Sequence, residues 1–324
     1  MWNDELESCT GFAAARIREL FDIEQRRWSR GIQRPDPPPG QRCSDLAARA
    51  CSAALADAGL SPRDVAALIA VTTTPDSLNP PLDALIAKQL GLMGVPAFSL
   101  QAPCTGLFRA IDLAGALRLR RYNGPVLIVT AETPSPFFRF GSDLPMEQVM
   151  NSLLYADGAG AIVCGSGAGG HSIEELDLQL NTDVADAGIT FPGMLSAMPP
   201  TPERYASADY LGRHDFRRVL RRGSKLAAGA ALRLMEKVGV GPADVRYFVT
   251  HQATGSIRRI GASYGLPAEK IPINIDRVGN TISASILILL DELAKSERLA
   301  VGDLLILHTA ESSTWSSAGL ALRW

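Results

Sequence analysis

Ser61-Pro62-Arg63-Asp64-Val65 opens the apolar run Ala66 to Val71, and 180 residues later Gly241-Pro242-Ala243-Asp244-Val245 opens the run Arg246 to Thr250. The echo extends outward from this pair. Val95-Pro96-Ala97-Phe98-Ser99-Leu100 matches Ile271-Pro272-Ile273-Asn274-Ile275-Asp276, and Thr130-Ala131-Glu132-Thr133-Pro134-Ser135 matches Thr309-Ala310-Glu311-Ser312-Ser313-Thr314. At the middle offset of 176 residues, Cys104-Thr105 falls on Asn280-Thr281, each just past a strand and opening an apolar helix. The chain reads as a duplicated α/β unit. Different polar residues at equivalent turns point to one active site shared between two halves.

Helical and strand patterns alternate along both copies. Residues 2 to 20 read as helical with Asn3 as N-cap, Arg34 to Gly40 as a proline-rich loop, and Cys43 to Leu60 as a helix. There follow the strand to Val71, a helix Leu82 to Leu90, a strand to Leu100, a helix beginning near Cys104 and a strand Pro125 to Thr130. The second copy repeats this with a helix Phe216 to Val238, a strand, a helix from Ser256, a strand to Ile275, a helix Ile282 to Lys295 and a strand Leu304 to Thr309. Strands that are continuous Val/Ile/Leu/Phe runs argue for largely parallel sheets covered on both faces. The flexible stretch Gly165 to Gly170 suits a joint, so the halves are taken as 1–168, carrying Cys104, and 169–324, carrying His251 and Asn280. One piece is unmatched: the second copy has His171 to Leu180 as an opening strand, whereas the first begins at Met1 already in helical sequence.

Composition narrows the function classes. With 324 residues and 46% hydrophobic content the chain can bury a large core. A formal net charge of −2 supplies no global electrostatic reason for nucleic acid or an anionic membrane as partner. Five cysteines at 9, 43, 51, 104 and 164 show neither metal-ligand spacing nor a disulfide framework, so no metal is expected and a reducing, cytoplasmic compartment is. The apolar stretch Ile286 to Leu290 is far shorter than the roughly 20 residues of a membrane helix, and the acidic N-terminus does not resemble a signal peptide.

Three residues at strand-to-helix turns carry candidate chemistry. Cys104, in Ser99-Leu100-Gln101-Ala102-Pro103-Cys104-Thr105-Gly106-Leu107, sits at a helix start, where unpaired N–H groups and the macrodipole favour a thiolate. A lone cytosolic cysteine is more often a small buried hydrophobe. Gly106, one turn into a helix at a cost of about 1 kcal/mol, shifts the balance toward function. His251 follows the strand Tyr247-Phe248-Val249-Thr250 at its carboxyl end, where open α/β sheets place ligands. Taken alone it reads more readily as a structural histidine than as a functional one. Asn280, in Asp276-Arg277-Val278-Gly279-Asn280-Thr281, reads alone as a turn residue or a helix cap. The specific signal is the set of three.

Ala102-Pro103-Cys104-Thr105-Gly106, His251-Gln252-Ala253 and Asp276 to Ser285 resemble, in order and spacing, the three active-site segments of the β-ketoacyl-acyl-carrier-protein synthase III family of the thiolase superfamily. Ile23-Glu24-Gln25-Arg26-Arg27, Ala156-Asp157-Gly158-Ala159-Gly160-Ala161 and the ending Thr314-Trp315 to Arg323-Trp324 extend the resemblance over nearly the whole chain. Asparagine at the third site separates it from Cys-His-His elongating ketosynthases, and the lack of cysteine after Cys164 separates it from biosynthetic thiolases. The resemblance implies a duplicated thiolase-like α/β fold in five layers, αβαβα, with two mostly parallel or mixed sheets, a cytoplasmic homodimer and no cofactor beyond acyl thioesters of coenzyme A or acyl carrier protein.

It also implies roles. Cys104 would attack an acyl thioester, with backbone N–H groups of Cys104 and Ser312 holding the oxyanion. His251 and Asn280 would then stabilise the enolate formed from a malonyl thioester by decarboxylation, and the enolate would attack the acyl group. Leu78 and Asn79 lie where relatives send a loop into the partner's acyl pocket; Thr254 and Glu311 are further candidates for substrate contact. Arg217, Arg218, Arg221 and Arg222, in a basic stretch that runs from Arg213 to Lys225, suit docking of an acidic carrier protein. The family's glycine-rich loop is replaced by Ala310-Glu311-Ser312-Ser313. Where relatives stack adenine on a tryptophan this chain has Arg16, and Leu20 replaces a nearby arginine. His308 lies near the place of a thiolase's second cysteine and is expected to be structural. The leading expectation is decarboxylative condensation in specialised metabolism, including polyketide or fatty-acid-derived products. Transfer from Cys104 to an oxygen, nitrogen or carrier thiol without decarboxylation is one alternative, and a non-catalytic subunit of a heterodimeric synthase is another.

Overall fold

A computed structural model describes residues 1–31, 37–119, 122, 124–140, 144, 146–165, 170–181, 186–191, 201–207 and 212–324. Its strands in chain order are β1 (Ala67–Val71), β2 (Ala97–Leu100), β3 (Val126–Glu132), β4 (Gly158–Cys164), β5 (Ser172–Gln179), β6 (Ile189–Thr190), β7 (Arg213–His214), β8 (Tyr247–Thr250), β9 (Leu304–Glu311) and β10 (Ser316–Arg323). The first sheet runs β2-β1-β3-β4, parallel except for the antiparallel β3–β4 pair. The second runs β5-β10-β9-β8, with β8–β9 parallel and the other two pairings antiparallel.

The apolar runs are buried because each sheet is covered twice. Helices Cys43–Asp57 and Leu82–Leu90 pack their buried side chains on one face of the first sheet. Helix Ser224–Val238 covers the outer face of the second. Between the sheets, helices Gly106–Leu119 and Ser285–Lys295 share one core with β1, β3, β8, β9 and β10. Five layers result, as the resemblance implied. The inner layer demands close approach: a Cβ on Gly160 of β4 would lie 2.5 Å from Leu287 Cβ, so only glycine admits the central helix there.

The two copies diverge at one strand each. β5 has no counterpart in the first sheet among the described residues, as the unmatched segment His171 to Leu180 foretold. The expected strand ending at Ile275 does not form. Ile275–Val278 is a short helix, and Gln252 Oε1 accepts the Asn274 N–H at 3.1 Å, so a side chain takes a donor that a sheet neighbour would otherwise use. The second sheet therefore lacks a match to β2.

Other expectations need correction. The helical N-terminal stretch is two helices, Asn3–Thr10 and Ala14–Phe21, separated at Gly11, whose φ is +70°. Asn3 is no N-cap. It is buried inside the first turn, donating to Ile23 O at 2.6 Å and accepting from the Arg26 guanidinium at 2.9 Å. The expected single helix Phe216 to Val238 contains a π-helical turn, Val219–Gly223. Part of the Arg34 to Gly40 loop and the boundary at residues 168 and 169 lie outside the described residues.

Candidate active site

The three strand-to-helix turns converge on one cavity of about 460 Å³. Cys104 reaches it because its turn is pressed against the end of β1: a Cβ on Gly106 would lie 2.4 Å from Val71 Cγ1. His251 leaves the end of β8, its backbone N–H donating to His308 O at 3.2 Å. Asn280 is held by the first half of the chain: its N–H donates to Leu154 O at 3.1 Å, and its carbonyl accepts from Ala156 N at 2.8 Å. Its Oδ1 accepts the Ile282 N–H at 3.0 Å. Asn280 is thus a turn residue rather than a helix cap, Thr281 being the N-cap position of the short helix that follows, and the turn leaves the Nδ2 donors for chemistry.

Cys104 Sγ lies 3.5 Å from His251 Nε2, and His251 Nδ1 lies 2.7 Å from Ser285 Oγ. Burial pushes the His251 imidazole down to about 4, opposed only in part by a hydrogen bond with the Ile282 backbone. Burial pushes the Cys104 thiol up, and the Glu311 and Glu132 carboxylates add to the shift. Both shifts favour the neutral pair of thiol and imidazole, the direction opposite to the thiolate that the helix start favours. The helix begins at Gly106 and Cys104 stands in the turn before it, where burial and two nearby carboxylates act against the helix terminus.

Thr254, Glu311 and Ser312 line the same cavity. Glu311 is almost fully buried, at 2% exposure. It accepts from Thr105 Oγ1, from Ser313 Oγ and Thr314 Oγ1 at 2.9 Å each, and from Arg109 Nη2 at 3.4 Å. The carboxylate that replaces a glycine-rich loop is thus fully engaged by protein donors. The π-helical turn brings Leu220 and Gly223 to the wall, and a Cβ on Gly223 would approach Ser312 Oγ to 3.3 Å. His308 also borders the cavity, but its Nδ1 faces Ala227 O at 2.9 Å and burial holds it near 4, in keeping with the expected structural role.

The structure does not bring every candidate residue to this site. Leu78, at 72% exposure, and Asn79 sit on an exposed loop away from this cavity. The arginines divide. Arg218 and Arg222 pair with Asp186 and lie over the Trp315 ring, whose Nε1 donates to Asp186 O at 2.7 Å. Arg217 and Arg221 are exposed. Arg16 is exposed and paired with Glu19, and Leu20 packs at the edge of an N-terminal apolar cluster. Among the described residues no group of three or more His, Cys, Asp or Glu is placed to hold a metal, and no helix is long and apolar enough to cross a membrane. Sequence reading assigned no role to Ser285, Ser283, Glu132 or Arg109. The signals were present in the Ser283-Ala284-Ser285 run beside Asn280 and in the matched glutamates 132 and 311.

A duplicated five-layer fold with cysteine, histidine and asparagine at one shared cavity defines a condensing enzyme of the thiolase superfamily. Residues 235–324 match the model of the 3-oxoacyl-[acyl-carrier-protein] synthase III C-terminal family. The chain is 36% identical to 3-oxopimeloyl-[acyl-carrier-protein] synthase of Rhodothermus marinus, over 90% of this chain and 82% of that protein. It is 32% identical to β-ketoacyl-[acyl-carrier-protein] synthase III 3 of Streptomyces coelicolor, over 99% and 92%. The crystal structure of 3-oxoacyl-(acyl carrier protein) synthase III from Pseudomonas aeruginosa PAO1 superposes with a TM-score of 0.85 at 28% identity, covering 100% of this chain and 94% of that one. The chain belongs to the β-ketoacyl-acyl-carrier-protein synthase III family, and it is an acyltransferase of the condensing type.

Proposed function

We propose that the protein transfers an acyl group from a thioester to Cys104 and condenses it with a malonyl thioester by decarboxylation. The observation that carries this reading is the 3.5 Å contact between Cys104 Sγ and His251 Nε2 in the cavity that Asn280 also lines. As Sγ attacks the thioester carbonyl, its proton passes to Nε2, and the oxyanion takes the N–H groups of Cys104 and Ser312. Collapse expels the carrier thiolate, which takes that proton from the imidazole. The malonyl C–CO₂ bond then breaks, and its electron pair moves onto the thioester oxygen as an enolate held by Asn280 Nδ2–H and His251 Nε2–H. Ser285 Oγ can accept from Nδ1 or donate to it, so it serves both tautomers that these steps require. The enolate carbon attacks the acyl carbon, the Cys104 C–S bond breaks, and the thiolate takes up a proton. The reaction so drawn needs no cofactor and no metal.

The finer assignments belong to the same reading. Exposed Arg217 and Arg221 suit an acidic carrier protein, whereas Arg218 and Arg222 are engaged by Asp186 and the Trp315 ring. Arg16, paired with Glu19 where relatives stack adenine, favours a carrier-protein donor over coenzyme A. The exposed Leu78–Asn79 loop is assigned to the acyl pocket of a second copy in a homodimer, and the loop Ala310 to Ser313, which borders the cavity, to a specialised acyl substrate. The test is intact-protein mass spectrometry with acyl thioesters, alongside measurement of CO₂ released from malonyl thioesters. An acyl adduct on Cys104 together with CO₂ release is expected. An adduct with no CO₂ release would favour transfer to a heteroatom nucleophile, and no adduct from any donor would overturn both.

A further inference from the structure

Glu132 and Glu311 end matched strands, β3 and β9, 179 residues apart, and each carboxylate crosses into the opposite half. Glu132 is wholly buried. On its own side it accepts from Thr73 N, from Thr73 Oγ1 at 2.8 Å and from Thr74 Oγ1 at 2.9 Å; across the halves it accepts from Ser283 Oγ at 2.7 Å. Ser283 belongs to the turn that begins with Asn280. In that turn Asn280 Oδ1 receives the Ile282 N–H, and Ser285 holds the His251 ring. One anchored hexapeptide, residues 280 to 285, therefore aims both groups assigned to the enolate. Glu311 mirrors this from the other side. Its own-half bonds go to Ser313 and Thr314, and its crossing bonds go to Thr105, adjacent to Cys104, and to Arg109 one helical turn on. It ties the loop containing Ser312 to the nucleophile's turn, and so sets the spacing of the two oxyanion N–H groups.

We propose that Glu132 and Glu311 are reciprocal positioning residues, each extending from one half to hold the active-site turn of the other, with Glu311 serving acyl transfer and Glu132 serving enolate formation. The inference rests on the condensation proposed above. The mirror is shifted by two residues. Thr281, the equivalent of Thr105, keeps a buried Oγ1 with no partner, and the crossing bond in the second half goes to Ser283 instead. A carboxylate that accepts several hydroxyl and N–H donors is a rigid support, since each charge-assisted bond is short and strong.

The test separates the half-reactions. Ser283→Ala removes the crossing donor and keeps both glutamates; Thr105→Val removes the nearer of the two crossing donors at the other clamp and leaves Arg109. Misplacing catalytic groups by a fraction of an ångström to 1 Å costs about 10- to 100-fold. Ser283→Ala and Glu132→Gln are expected to slow CO₂ release from malonyl thioester by that factor and to slow Cys104 acylation much less, because, of the two groups this turn holds, acylation uses His251 but not Asn280. Thr105→Val and Glu311→Gln are expected to slow acylation by the same factor and to change the alkylation rate of Cys104 by iodoacetamide more than Ser283→Ala does. Thermal melting of each variant reports folding, and the serine and threonine variants stand in for any glutamate variant that does not fold. Equal loss of both half-reactions in every folded variant, or loss in none, would overturn the clamp. A native protein that alkylates normally but neither acylates nor decarboxylates would instead overturn the condensation reading, and the alkylation contrast between Thr105→Val and Ser283→Ala would still judge the clamp.

Discussion

The Cys104 turn and the Asn280 turn descend from one duplicated segment, yet they are built by opposite means. In the first, Gly106 lets the backbone press against Val71, and a regular helix follows directly, Gly106–Leu119. In the second, the equivalent of Gly106 is Ile282, held at φ +49°, and a 3₁₀ turn, Ile282–Ala284, intervenes before helix Ser285–Lys295. A β-branched residue in the left-handed region costs on the order of 1–3 kcal/mol, so the surrounding contacts must over-determine it. Those contacts are the Asn280 Oδ1 bond to Ile282 N and the anchoring of Ser283 by Glu132. The nucleophile needs only to be delivered to the end of β1. The enolate site proposed for the second turn needs an amide aimed outward and a serine behind His251, and the tighter turn supplies both.

The largest expected effects break each turn at its reacting group. Cys104→Ala removes the atom proposed to hold the acyl group, so the adduct should vanish from the mass spectrum and turnover fall more than ~1,000-fold. Asn280→Ala should leave the adduct and reduce CO₂ release by about 100- to 1,000-fold, the usual cost of one lost oxyanion donor. The same change removes the acceptor for Ile282 N–H, a loss of roughly 0.5–2 kcal/mol to be read as a lower melting temperature. If Asn280→Ala blocked acylation as strongly as decarboxylation, the division of labour between the turns would be wrong.

Much of this contrast was legible in the sequence because duplication supplies its own alignment. The repeated strand openings located the sheets, and the offset of 176 paired Cys104 with Asn280 before any geometry was known. What stayed illegible had two causes. Local pattern cannot see which groups surround a side chain, so the helix start spoke for a Cys104 thiolate while burial and two carboxylates act against it. Nor can pattern see side chains that replace ladder partners: Ile271 to Asp276 matches a true strand, but Gln252 takes the Asn274 N–H and the strand is lost. The glutamates were visible as a repeat, but their crossing bonds depend on how the halves face one another.

A stability test comes next in size. Gly106→Ala places a methyl 2.4 Å from Val71 Cγ1 and 3.3 Å from Ala102 Cβ, so the turn must move away from β1. Overpacking of this kind costs typically about 1–3 kcal/mol, measurable as a fall in the urea midpoint. Adding Val71→Ala to Gly106→Ala relieves the contact and should recover part of the Cys104 acylation rate, though not the stability lost with the valine. Recovery of neither would mean that the close approach is incidental to presenting Cys104.

The smallest effect concerns the support of the second turn. Burial pushes the Glu132 carboxyl up to about 7 from an ordinary 4.5, despite the donors from Ser283, Thr73 and Thr74 that favour its charged form. A group that binds its proton more tightly folded than unfolded contributes stability that is fully present below its unfolded pKa and is lost as pH rises through its folded pKa. Glu132 should therefore lower stability by about 1 kcal/mol between pH 6 and pH 7, and little more once it is ionised. The buried imidazoles of His214, His251 and His308, each held near 4, act in the opposite sense: they cost stability as pH falls below the usual histidine range. The whole-protein curve mixes these terms, so the informative quantity is the difference between native protein and Glu132→Gln in denaturant unfolding at several pH values. That difference should change through neutrality and flatten above it. A difference independent of pH would place the Glu132 proton outside this range and leave the second turn anchored by a carboxylate that is ionised throughout.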